Sequence, residues 1–70
     1  MLEGLDALLR ALSDGGWHRV GELAERLEVR AEDVEEAARL LSKYGMAVYD
    51  AEGRRVRLSE PMLRFLRGRA

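Results

Sequence analysis

Leu2, Leu5, Leu8, Leu9 and Leu12 recur at three- and four-residue intervals, the spacing that lines up side chains on one face of a helix. The run stops at Ser13-Asp14-Gly15-Gly16, which predicts the end of a first helix. Trp17-His18-Arg19-Val20 then reads as a short extended bridge, and Val20, Leu23, Ala24 and Leu27 mark a second, shorter amphipathic helix. Glu28-Val29-Arg30 is a tight connection. From Ala31 to Tyr44, the positions Val34, Ala37, Ala38, Leu41 and Tyr44 share one side at about 100° per residue, and Gly45 is placed to stop this longest helix.

At Met46 the period changes from 3.6 to 2. Met46-Ala47-Val48-Tyr49 and Arg54-Arg55-Val56-Arg57-Leu58 predict two strands joined at Asp50-Ala51-Glu52-Gly53. That tetrad fits a type I turn with Gly53 in the left-handed region. Ser59 or Glu60 then caps a last helix with Pro61 in its first turn, Met62, Phe65 and Leu66 on its apolar face, and Gly68 at its end. The expected class is mainly α with a small β-hairpin: a three-helix core, a two-stranded hairpin and a short C-terminal helix.

Seventy residues suffice for one domain, spanning residues 1–70. With no Cys and one His, neither disulfides nor a zinc site is expected to reinforce a core of this size, and no cofactor or metal is expected. No apolar run approaches a membrane span, and Glu3 and Asp6 are unlike the start of a signal peptide, so the expectation is a cytoplasmic protein with no membrane partner. Asn, Gln, Thr and Ile are missing and eleven of the twelve basic residues are Arg, a bias that suits a thermophile and that skewed codon usage also explains. The net charge of −1 conceals a division: residues 1–38 carry four Arg against ten carboxylates, whereas residues 39–70 carry eight basic groups against Asp50, Glu52 and Glu60. A partner feels the local field and not the sum.

Helix, bridge, helix, tight turn, longer helix and hairpin is the order of a winged helix-turn-helix domain. Val20-Gly21-Glu22-Leu23-Ala24-Glu25-Arg26-Leu27-Glu28-Val29 resembles that family's first helix and turn, and Val34 to Leu41 with Tyr44-Gly45-Met46 resembles its recognition helix running into the wing. The resemblance covers nearly the whole chain and is closest to small archaeal and bacterial transcription regulators. It implies double-stranded DNA as the partner. Winged helices also serve as protein-docking modules, so a protein partner is the alternative. Two departures stand out: Glu28 occupies the turn position where the family commonly has Gly, and Arg30 the cap position where it commonly has Ser or Thr. The third helix must then rely on Glu32 and Asp33 to interact with its dipole.

On that third helix Glu32, Glu35, Glu36, Arg39 and Lys43 fall within about 100° of arc, opposite Val34 and Leu41. Arg39 and Lys43 are candidate DNA contacts at its end. Glu32, Glu35 and Glu36 would repel phosphates and are instead candidates for docking a protein, or Glu35 and Arg39 form an ordinary i,i+4 pair on a solvated face. The stronger DNA candidates are Arg54, Arg55 and Arg57 in the hairpin with Arg64, Arg67 and Arg69 in the last helix, which either hold phosphates or pair with neighbouring carboxylates. Trp17 is expected to close the core beneath the hairpin, the alternative being a stacking platform. His18 is expected to be exposed, and Tyr49 to pair across the hairpin with Arg55 or Arg57. Leu40 and Leu63 are candidate exposed apolar residues for a homodimer seam. Three Ser and one His at unrelated positions make no nucleophile–base pair, and no Gly-rich loop offers a phosphate cradle, so the chain is not expected to be an enzyme.

Overall fold

A computed structural model of the chain describes residues 2–68, with the side chains of Leu2 and Glu3 outside the description. Its elements are α1 (Leu2–Ala11), β1 (His18–Arg19), α2 (Val20–Leu27), α3 (Ala31–Lys43), β2 (Ala47–Asp50), β3 (Arg55–Leu58) and α4 (Glu60–Arg67). The described residues thus form a small α+β domain in which four helices accompany one antiparallel sheet of order β1-β3-β2. Its core is built from Leu8 and Leu12 of α1, Val20, Leu23 and Ala24 of α2, Val34, Ala38 and Leu41 of α3, Ala47, Val56 and Leu58 of the sheet, and Leu63 of α4. No helix of the described residues is long and apolar enough to cross a membrane.

The expected two-stranded hairpin is a three-stranded sheet. His18 and Arg19 pair with Val56 and Arg55, and Val20 N–H donates to the Arg54 carbonyl at 2.9 Å, so the bridge before α2 becomes an edge strand. Two residues carry no periodicity, which is why their pattern alone could not declare a strand. The α3 helix ends at Lys43, with Tyr44 as its cap and Gly45 at φ +74°. Tyr44 accordingly leaves the apolar face and is 65% exposed.

The hairpin strands begin at Ala47 and Arg55, one residue later than the alternation predicts, and Asp50 pairs with Arg55. That register leaves a loop of residues 51–54, whose last residue takes the left-handed conformation. It is therefore Arg54, at φ 51°, and not Gly53 that adopts it. Gly53 instead leaves room for the Asp50–Arg55 pair: a Cβ there would stand 2.9 Å from Asp50 Oδ2 and 3.2 Å from Arg55 Nε, so those side chains would have to shift. Glu28 likewise caps α2 in the left-handed region, at φ 57° and ψ 46°, a conformation that glycine adopts more readily.

Ser59 is the N-cap of α4. Its hydroxyl accepts from Met62 N–H at 3.3 Å and donates to the Gly45 carbonyl at 2.8 Å, while its own N–H donates to the Met46 carbonyl at 3.0 Å. One side chain thus starts α4 and pins it to the end of α3. The resulting helical phase buries Leu63, contrary to its expected exposure, and turns Phe65 outward at 56% exposure.

A left-handed conformation costs a non-glycine residue about 1 kcal/mol or more, so Glu28→Gly is expected to raise stability by about that amount, read as a higher Tm. Ser59→Ala is expected to lower it by about 1 kcal/mol through the lost cap. Gly53→Val is expected to be more damaging than Gly53→Ala in the same melts, because the added methyl groups enter a space where even a Cβ is crowded.

Candidate nucleic-acid interface

Alternation along β3 sends Val56 and Leu58 inward and leaves Arg55 and Arg57 on the opposite face. The pairing surrounds them with defined neighbours. Arg55 lies between Arg19 of β1 and Asp50 of β2, and Arg57 lies beside Val48. Two arginines directly across a sheet repel, and the Asp50 carboxylate offsets this by accepting from Arg55 Nε at 2.9 Å. That bond, joined by Gly53 N–H, holds the Asp50 carboxyl below the usual aspartate value of 3.8.

Trp17 lies on this face and not beneath the hairpin. Its ring is approached by Arg55 Cζ at 4.5 Å and Arg57 Cζ at 5.1 Å, and the residue is 41% exposed. The preceding loop accounts for the placement. Asp14 Oδ1 accepts from Gly16 N–H and from His18 Nε2, each at 2.9 Å, so one carboxylate binds the residues on either side of Trp17. The His18 bond first, and the Gly16 bond second, hold the Asp14 carboxyl below 3.8. The expected exposure of His18 is corrected too, since only 16% of its side chain is accessible. Gly15, at φ +82°, brings the loop against α4: a Cβ there would lie 3.2 Å from a Leu63 methyl and 3.7 Å from Arg67 Nη2. Arg67 of α4 thus lies against the loop that precedes Trp17.

The α3 surface is organised differently. Tyr49 Oη donates to Glu35 Oε2 at 2.6 Å, Arg39 Nη2 stands 3.4 Å from the same oxygen, and Arg54 Nη2 stands 3.8 Å from Oε1. Arg39 also lies over the Tyr49 ring at 5.8 Å. Tyr49 therefore pairs with α3 and not with Arg55 or Arg57, because its position opposite Val56 points it inward from the sheet. Glu35 is correspondingly withdrawn from the solvated face and is 26% exposed. The Tyr49 hydrogen bond, helped by the charges of Arg39 and Arg54, lowers the Glu35 pKa below 4.5, and the same bond raises that of Tyr49 above 10.

Arg39 and Arg54 are thus engaged by Glu35, whereas Arg19, Arg57, Arg64 and Arg67 have no ion-pair partner among the described residues. Lys43 lies over the Tyr44 ring at 5.9 Å. Glu32 pairs with Arg30 at 2.8 Å in exposed surroundings, and Glu36 is exposed and borders a shallow depression with Leu40 and Lys43. Leu40 is 54% exposed, as expected. Arg69 lies outside the described residues.

The structure brings together Arg55, Arg57 and Trp17, engages Arg39 and Lys43 with Tyr49 and Tyr44 instead, sets Arg67 beside the Gly15 loop, and adds Arg19, which the sequence pattern did not single out. The signal for Arg19 was its spacing of two from Trp17 in an extended stretch. Comparison of the chain with protein-family models and with curated proteins finds no match in either.

The Glu35–Tyr49 bond has a direct readout. Ultraviolet titration is expected to show a tyrosine component above 10 that disappears in Tyr49→Phe and moves down toward 10 in Glu35→Gln. Since the folded-state pKa of Glu35 is lowered, its contribution to stability is present above 4.5 and is lost as pH falls through the folded value. Acid unfolding of Glu35→Gln is therefore expected to depend less steeply on pH in that window.

Proposed function

We propose that the chain is a winged helix-turn-helix domain that binds nucleic acid through phosphates, with double-stranded DNA as its ligand and transcription regulation as its role. The observation that carries this reading is the outer sheet face, where Arg19, Arg55 and Arg57 stand on adjacent strands. A guanidinium fork matches phosphate oxygens, and several of them on a rigid sheet hold a backbone without reading its sequence. The order of α2, α3, β2 and β3 supports the winged-helix assignment. Arg64, exposed in the last turns of α4, extends the basic surface, while Arg39, Lys43 and Arg54 are auxiliary contacts.

In this reading α3 contributes little base recognition, because its exposed surface begins with Glu32, Asp33 and Glu36. A single domain of this size covers one half-site, and the exposed Leu40 offers a seam for a second copy. A second reading, docking of a protein on α3, is favoured by Leu40 beside Glu36. It is also favoured by an apolar groove of about 320 Å³ between α1 and α3 whose lining includes Leu5, Leu27, Val29 and Ala37.

Binding of short duplexes at a series of salt concentrations tests the proposal. Affinity is expected to fall steeply with salt, and Arg55→Ala or Arg57→Ala to lower the slope by about 1 each while weakening all sequences alike. Replacing Glu35 and Glu36 by Gln is expected to tighten duplex binding at low salt by releasing Arg39 and Arg54 and removing repulsion. Absence of duplex binding at about 50 mM salt would favour the protein-docking reading instead.

A further inference from the structure

Trp17 is the chain's only tryptophan, and it is held in an unusual setting for so large an apolar side chain. It is 41% exposed on the outer sheet face, with two guanidinium groups within 5.1 Å of its ring. On either side of it the Gly16 N–H and the His18 ring both bond to Asp14, which ties the loop that carries the indole. Asp50 takes Nε of Arg55, and among the described residues no carboxylate hydrogen-bonds to either Nη group of Arg55 or pairs with Arg57.

We propose that Trp17 is a stacking site for an unpaired nucleobase, with Arg55 and Arg57 holding the adjoining phosphate. This rests on the nucleic-acid reading above and adds a second kind of contact to it. A phosphate forms charge-assisted hydrogen bonds with guanidinium that outweigh an exposed cation–π contact, so its arrival draws Arg55 and Arg57 from the ring. The uncovered indole then offers an apolar plane to a base. Within a duplex both faces of each base are taken by its neighbours, so only an unpaired or terminal nucleotide meets that demand. The ligand is thus DNA with locally open strands, the duplex engaging the arginines and a freed base engaging Trp17.

The experiment uses the whole 70-residue chain, whose indole emission reports on Trp17 alone. Oligothymidylate and a blunt hairpin duplex matched in phosphate number are titrated, following indole emission together with the anisotropy of a labelled oligonucleotide. The single strand is expected to quench emission strongly and the duplex weakly. Trp17→Leu is expected to weaken single-strand binding by about tenfold with little change in salt slope and little effect on the duplex, and Trp17→Phe to retain most of the affinity. Single-strand binding without quenching, or with unchanged affinity in Trp17→Leu, overturns the stacking site and leaves the phosphate contacts standing. Equal losses for both nucleic acids in Trp17→Leu, not restored by Trp17→Phe, also overturn it. If neither nucleic acid binds, both proposals fall.

Discussion

Four residues of β3 carry two incompatible demands, and the rest of the domain depends on their strict alternation. Val56 and Leu58 are fully buried, while Arg55 and Arg57 stand on the other face. Both remaining strands bond to β3 and not to each other, so no other element can hold the sheet together if this register slips. A slip of one residue would exchange the two faces, placing guanidinium groups in the core and valine in water. The burial of two apolar side chains therefore fixes where the basic surface lies.

A second constraint is electrostatic. The α3 helix and the hairpin meet at Glu35, where the hydroxyl of Tyr49 and the guanidinium groups of Arg39 from α3 and Arg54 from the hairpin converge on one carboxylate. Exposed ion pairs contribute little individually, but the Tyr49 hydrogen bond is short and its donor is half-buried. Glu35 therefore acts as a strut between α3 and the sheet. It also neutralises the cations nearest α3, so the free positive charge concentrates toward Trp17 and α4.

The helices were legible because each shows several apolar positions at regular spacing, and the stops at Gly45 and Gly68 follow from glycine's usual placement after a helix. The outward direction of Arg55 and Arg57 was legible for the same reason in period 2. What could not be read was the effect of partners distant in sequence. His18 and Arg19 become a strand only because β3 reaches them, and Trp17 meets on the outer face the guanidinium groups of Arg55 and Arg57 from that same strand. Tyr49 seeks Glu35 and not Arg55 because its register partner is Val56. Of the proposed site, Arg55 and Arg57 were visible in sequence; Arg19 and the arrangement around the indole were not.

The pairing of His18 with Val56 has a kinetic consequence. It joins two segments from opposite halves of the chain, so its loop-closure entropy must be overcome before its hydrogen bonds contribute, whereas α1, α2, α3 and the β2–β3 hairpin rest on nearer contacts. The docking of β1 thus belongs late in folding. A chain halted before that step would keep its helices and hairpin yet lack the surface shared by Trp17, Arg19, Arg55 and Arg57, so that surface would be completed only by this closure.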